Sequence, residues 1–173
     1  MRMPTLYQFF RHQVSHGFAA HGLSEPATVD YVSDVLTRFA QTRALYAMTD
    51  AQGRQLEYVV DFLNACRDDD ARMDRARARS LLRHLGEYTL FMSGLFRERL
   101  AARGELGYYM AQGTSAYGQC AECEPLPGRR HLFRRLHGNF SRIADTLDDM
   151  RRARFPLPIP ATANNMAAAF WRV

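Results

Sequence analysis

The chain has 173 residues, 47% of them apolar and 24% charged, which is an ordinary composition for one globular domain. Its formal net charge is +5, and all 23 permanently positive side chains are arginine, because the sequence contains no lysine. Without a lysine amine, Schiff-base chemistry, Walker-type phosphate loops and kinase-type catalysis are excluded. Arginine instead supplies planar, always charged donors that suit carboxylates and phosphates.

The sequence predicts a cytoplasmic protein without a membrane partner. It contains no run of about 18 apolar residues that would span a bilayer. Its N-terminus passes directly into an amphipathic pattern, which argues against a secretory leader. The 3 cysteines are odd in number and scattered, which favours a reducing compartment over a disulfide framework.

Apolar residues at the start of the chain recur with the helical period. The first predicted helix has Pro4 in its first turn, where a fixed φ is tolerated. The second is predicted to begin at Ser24, whose hydroxyl suits the N-cap position. The apolar residues predicted to face the core are Leu6, Phe10, Val14 and Phe18 in the first helix, and Val29, Val32, Val35, Leu36 and Phe39 in the second.

Four further helices are predicted along the rest of the chain. Their spans are residues 54–66, 68–103, 105–121 and the segment after the turn at 125–128. Gly86 and Gly94 are candidate breaks within the second of these four. Because no segment alternates with the period of a strand, we predict an all-α, single-domain bundle of about six helices at residues 1–154.

Residues 155–173 break the helical pattern and form a predicted Pro-rich C-terminal arm. Prolines at every second position near its start favour an extended path. Its end is apolar and carries Phe170 and Trp171. An exposed apolar arm would be a liability, so we expect it to dock on its own bundle or on a second subunit.

The acidic residues are predicted to face away from the core. Di-iron bundles need carboxylates and histidines that project inward. Asp30 and Asp34 fall on the polar side of their predicted helix, and Glu87 lies about 100° or more from the apolar face of its own. We therefore predict no inward-facing catalytic set and no cofactor, which favours a non-enzymatic function while leaving catalysis open.

One predicted helix carries two tyrosines on either side of a glycine. Tyr109, Gly113 and Tyr117 follow each other at four-residue spacing on its buried face. Close helix packing at the glycine is one interpretation. The alternative is a small apolar pocket with convergent hydroxyls, to which Tyr88 and His84 of the preceding helix contribute and which holds a small apolar ligand.

Cys120, Cys123, His131 and His137 have the residue types of a tetrahedral zinc site, in the order C-x2-C-x7-H-x5-H. The gap between the cysteine pair and the first histidine is short for a zinc finger. Cys120 also continues an apolar helix face, where a buried structural thiol is common. The motif therefore has two interpretations: a zinc site, or a structural and a surface cysteine that bind no metal.

Arginines group on two predicted helices. One row consists of Arg72, Arg75, Arg79 and Arg83, and a second group contains Arg130 and Arg134. Acidic residues four positions away, as in Asp34–Arg38 and Asp148–Arg152, favour intrahelical salt bridges. The arginine faces thus predict a solvated surface, an acidic protein partner or nucleic-acid binding.

These patterns favour a non-catalytic binding, adaptor or regulatory protein that associates with itself or with another protein. Its contact surfaces are predicted to be the arginine faces and the apolar arm. The first alternative is a small-molecule-binding or enzymatic bundle with a tyrosine-lined pocket. The second is a nucleic-acid-binding protein.

Overall fold

A computed structural model describes residues 5–40 and 75–154, and these residues form helices without a strand. The helices are α1 (Leu6–Ala20), α2 (Pro26–Phe39), α3 (Arg75–Leu95), α4 (Arg97–Ala102), α5 (Leu106–Cys123) and α6 (Pro127–Arg154). The predicted all-α bundle is therefore confirmed. The predicted helix at 54–66, Arg72, and the arm with Phe170 and Trp171 lie outside the described residues.

Helix α1 begins at a capping box. The Thr5 hydroxyl accepts a hydrogen bond from the Gln8 backbone N–H at 3.2 Å, and the Gln8 side chain accepts one from the Thr5 N–H at 2.9 Å. The helix begins at Leu6, and Pro4, the residue predicted for its first turn, lies outside the described residues. Of the four residues predicted to face the core, Phe10, Val14 and Phe18 are buried, and Leu6 is partly buried against the core.

Helix α2 begins at Pro26, whose fixed φ suits the first helical position. The predicted cap at Ser24 is wrong, because Glu25 occupies the N-cap position. The Glu25 carboxylate accepts a hydrogen bond from the Thr28 hydroxyl at 2.7 Å and caps no backbone N–H. All five apolar residues predicted for the inner face of this helix are buried.

Helix α3 is the central element of the bundle. Residues 84–95 are all buried, because α2, α5 and α6 pack around them. A helix that is enclosed on every side has no solvent face left for a polar residue. The prediction that Glu87 faces away from the core is therefore wrong.

Neither Gly86 nor Gly94 breaks α3. The interruption falls at Phe96, whose φ of −121° separates α3 from α4. The two glycines instead permit close helix contacts. A Cβ added at Gly86 would lie 3.0 Å from the Tyr117 ring of α5, and one at Gly94 would lie 2.7 Å from Cβ of Leu147 in α6.

Helix α6 is the longest described element, with 28 residues, or about 42 Å at 1.5 Å per residue. Its large buried apolar residues are Phe133, Leu136, Phe140, Ile143, Leu147 and Met150. Buried side chains from all six helices form one hydrophobic core. None of the described helices combines the length and apolarity that a membrane span requires.

Candidate functional site

A buried carboxylate lies at the centre of the bundle. Glu87 of α3 is 2% exposed. Its Oε1 accepts a hydrogen bond from the Tyr31 hydroxyl at 2.9 Å, and its Oε2 accepts one from Arg38 Nη1 at 3.1 Å. Arg38 Nη2 also lies 3.0 Å from Oε1, so one guanidinium engages both oxygens. The charge of Glu87 is thereby compensated, as burial requires.

Two arginines flank Glu87 in different ways. Burial by itself lowers the pKa of the Arg38 guanidinium, but its hydrogen bonds and charge interactions with Glu87 and Asp34 raise that pKa above its ordinary value. Arg83 lies farther away, with Nε 3.8 Å from Glu87 Oε1. Because Arg38 already neutralises Glu87, the charge of the half-exposed Arg83 remains available to a group outside the bundle.

Two tyrosines border this carboxylate. The rings of Tyr31 and Tyr117 meet edge to face with centroids 6.2 Å apart. The Tyr117 hydroxyl is buried and has no hydrogen-bond partner at ordinary bonding distance among the described residues. Burial raises the pKa of both phenols well above the ordinary value of 10.0, and the charge of Glu87 raises both further. Both hydroxyls therefore stay neutral in the folded protein.

Raising the pH above 10 is expected to destabilise the protein through these two phenols. Their contribution is fully present below pH 10, where they are protonated in both the folded and the unfolded chain. Above it the unfolded chain releases protons that the folded protein retains, so the free energy of unfolding falls by about 1.4 kcal/mol per pH unit per tyrosine. Urea unfolding at several pH values between 9 and 11.5 measures this slope.

Two phenylalanine variants test the assignment of this slope. Tyr117→Phe is expected to reduce the alkaline slope by about 1.4 kcal/mol per pH unit, the contribution of one phenol. Tyr108→Phe, at an exposed phenol on the same helix, is the matched control. Equal slopes in the wild type and in Tyr117→Phe would contradict the assignment.

A cleft of about 360 Å³ opens beside Arg83, between the first half of α3, the end of α5 and the start of α6. Its charged lining residues are Arg79, Arg83, Arg129 and Glu124, and its apolar lining includes Leu126, Cys120 and Phe133. Leu126 is 56% exposed, whereas Phe133 is 2% exposed. The cleft thus has an apolar floor, an exposed leucine and a charged rim.

The rim of the cleft carries an excess of positive charge. Arg129 lies with its Nε 3.6 Å from Glu124 Oε2 and its guanidinium 5.8 Å from the centre of the Phe133 ring. Glu124 is the one acidic residue among those lining the cleft, against three arginines. Such a rim attracts anions and binds them through guanidinium hydrogen bonds.

Comparison of the chain with protein-family models, with curated proteins and with solved structures finds no match. The geometry of the described residues is therefore the basis for any functional argument. Two features stand out within residues 5–40 and 75–154: the buried Glu87 and its partners, and the arginine-rimmed cleft next to it.

Side chains of the neighbouring helices fill the space beside Gly113. A Cβ added there would lie 2.3 Å from the Phe140 ring and 2.3 Å from the Thr89 hydroxyl. Close helix packing, one of the two interpretations, therefore occupies this space. Tyr88 and Tyr109 lie together with ring centroids 6.1 Å apart.

The remaining members of the predicted tyrosine pocket lie elsewhere in the core. Tyr117 is fully buried beside Glu87, and burial also places His84 in the core. The His84 ring lies 5.3 Å from that of Phe39 in α2. The five residues predicted to line one ligand pocket are thus distributed over several packing contacts.

The four predicted zinc ligands are not brought together. Cys120 is buried and Cys123 is exposed. His137 Nδ1 lies 2.8 Å from the Thr114 carbonyl oxygen, and His131 Nε2 accepts a hydrogen bond from Arg135 at 3.2 Å. Across residues 5–40 and 75–154, no group of three His, Cys, Asp or Glu side chains is placed to hold a metal ion.

The predicted arginine groups separate into different environments. Arg75, Arg79 and Arg83 are exposed along α3, and the last two line the cleft. Arg130 turns back to the end of α5, where its Nε donates to the Glu124 carbonyl oxygen at 2.9 Å. Arg134 is exposed on α6 and is not one of the cleft residues.

Both predicted intrahelical pairs that fall within the described chain are present. Arg38 Nε lies 2.8 Å from Asp34, and Arg152 Nε lies 2.9 Å from Asp148. Asp148 is nonetheless buried and also binds Arg151 at 3.1 Å. Many arginines therefore serve the fold, whereas Arg79 and Arg83 are exposed where they line the cleft.

Proposed function

We propose that this chain is a non-catalytic binding protein that receives an acidic segment of a partner protein in the cleft between α3, α5 and α6. The observation that carries the proposal is the convergence of Arg79, Arg83 and Arg129 on one cleft that contains a single carboxylate. A partner carboxylate in this cleft would meet two-pronged donors on more than one side.

The cleft offers apolar contact as well as charge. An exposed guanidinium–carboxylate pair contributes about 0–1 kcal/mol, so charge alone gives weak and salt-sensitive binding. Leu126 stands exposed at the cleft and can cover an apolar residue of the partner. We therefore expect the bound segment to combine acidic residues with a leucine or a similar side chain.

The position of the acid and base groups relative to the cleft supports binding in preference to catalysis. Glu87 and Tyr31, the groups with the chemistry of an acid or base, are not among the residues that line the cleft. Glu87 is also held by Arg38 and Tyr31 within the core. Of the two arginines beside Glu87, Arg83 is the one that lines the cleft.

Fluorescence anisotropy with a labelled acidic probe tests this function. The probe is a 12-residue peptide of glutamate and leucine, and its control carries glutamine in place of every glutamate. We expect micromolar binding of the acidic peptide at low salt, and binding about tenfold weaker or more for the control. Arg79→Ala and Arg129→Ala are each expected to weaken binding about fivefold, because each removes one charge-assisted contact.

A matched variant and a second probe separate this function from its alternatives. Arg134→Ala removes an exposed arginine of α6 outside the cleft and is expected to leave the affinity within about twofold. Labelled single-stranded and duplex DNA serve as competing probes. If DNA binds and the acidic peptide does not, or if Arg134→Ala weakens binding as much as Arg79→Ala does, the proposed function is wrong.

A further inference from the structure

The exposed side of α3 carries a regular row of guanidinium groups. Arg75, Arg79 and Arg83 follow each other at four-residue spacing and are all exposed. Residues four apart lie on the same side of a helix, with a rise of about 6 Å per step. Within residues 5–40 and 75–154, Arg75 and Arg79 form no ion pair, and the Arg83 contact with Glu87 is long at 3.8 Å. The row therefore presents three donors to the outside.

We propose that the partner segment bound by this row is an α-helix that lies along α3 and carries carboxylates at positions i, i+4 and i+8. This inference rests on the function proposed above and specifies its partner. Such a helix repeats its carboxylates with the same rise of about 6 Å, so each meets one guanidinium of the row. An apolar residue on the same side of the partner helix then faces Leu126 across the cleft.

The helical conformation of the proposed partner follows from the groups that the binding surface presents. The cleft is lined by helices and by the short connection at residues 124–126, and the interior backbone groups of those helices are already paired. A bound segment in an extended conformation would have unpaired backbone N–H and C=O groups. The edge of a sheet could satisfy these groups, whereas the cleft offers them side chains. A helix satisfies its own backbone and presents only side chains.

The side chains of the cleft also favour protein over nucleic acid. Base stacking needs an exposed aromatic ring, and the aromatic residue of the cleft, Phe133, is 2% exposed. Leu126 at 56% exposure instead suits an aliphatic partner side chain. The combination of a cationic row and an exposed leucine is complementary to an acidic amphipathic helix.

Three labelled 16-residue peptides test the conformation of the partner. The aligned peptide is alanine-based, with glutamates at i, i+4 and i+8 and one leucine on the same face. The permuted peptide has the same composition with its glutamates distributed around the helix. The third is the aligned peptide with a central proline. We expect the aligned peptide to bind at least tenfold tighter than either of the other two.

Variants and spectroscopy give independent measurements. Arg75→Ala and Arg79→Ala are expected to weaken binding of the aligned peptide about fivefold each, and Leu126→Ala about threefold, whereas Arg134→Ala changes it less than twofold. The magnitude of the negative ellipticity of the mixture at 222 nm should exceed the sum for the separate components, because the peptide becomes helical when bound.

The possible failures can be told apart. If the acidic 12-residue peptide binds and the three helical-design peptides bind equally, the partner is not held as a helix along α3, while the proposed binding function stands. If no acidic peptide binds, the proposed function fails and the helical partner fails with it. Tighter binding of single-stranded DNA than of the aligned peptide would also overturn both.

Discussion

Replacing Glu87 by alanine is expected to lower the free energy of unfolding by about 2–3 kcal/mol. The variant leaves Tyr31 and Arg38 without the carboxylate that accepts their hydrogen bonds. Removal of one partner from a buried ion pair costs about 3–5 kcal/mol, but the Arg38 side chain is 40% exposed and can regain water. The expected loss is therefore below that range. Urea unfolding at pH 7 measures it.

Asp34→Ala is the matched control for this prediction. Asp34 binds the same guanidinium, with 2.8 Å between its Oδ2 and Arg38 Nε, but its side chain is 55% exposed. An exposed pair of this kind contributes at most about 0.5 kcal/mol. If the two variants lost equal amounts of unfolding free energy, the prediction would be wrong, because the buried Glu87 would then stabilise the protein no more than the exposed Asp34.

The burial of Glu87 could not be obtained from a helical wheel. The wheel assumes that each helix has one face toward solvent, whereas residues 84–95 of α3 are enclosed by α2, α5 and α6. A signal was present in the composition of the helix itself, because residues 85–96 contain one charged residue, Glu87. A helix with apolar and small residues on all sides is a central helix, and its isolated charge needs partners inside the core.

The core faces of α1, α2 and α6 were predictable because each of these helices has one side against the bundle and one side toward solvent. Their apolar spacing therefore carries the whole signal. The cleft was predictable in part. Arg79 and Arg83 stand out as a row on one helix, but Glu124 and Arg129 join them only through the packing of α5 and α6 against α3. No spacing within one helix contains that information.

The helix caps show the same limit of prediction from the sequence. Ser24 has the better side chain for an N-cap, yet α2 begins one residue later, after Glu25. Pro26 occupies the first helical position there, which suits its fixed φ. Propensity at one residue is overridden when the neighbouring residue fixes the start of the helix.

Helix packing at Gly113 leads to the second large expected effect. Gly113→Ala is expected to destabilise the protein by about 2 kcal/mol in urea unfolding. The added Cβ would lie 2.3 Å from the Phe140 ring and from the Thr89 hydroxyl. Phe140 is 2% exposed, and Thr89 donates to the Leu85 carbonyl oxygen at 2.7 Å, so neither moves freely. Overpacking costs about 1–3 kcal/mol, and the higher helix propensity of alanine offsets about 1 kcal/mol at most.

Gly138→Ala separates this packing effect from helix propensity. Gly138 lies within α6, and apart from its chain neighbours and the backbone of its own helix turn no atom of the described residues lies within 4 Å of an added Cβ. The same substitution there is expected to stabilise the protein by up to about 1 kcal/mol, since alanine restricts the unfolded chain more than glycine does. The two variants should thus move the unfolding midpoint in opposite directions. A Gly113→Ala protein as stable as the wild type would mean that α3, α5 and α6 do not meet at this glycine.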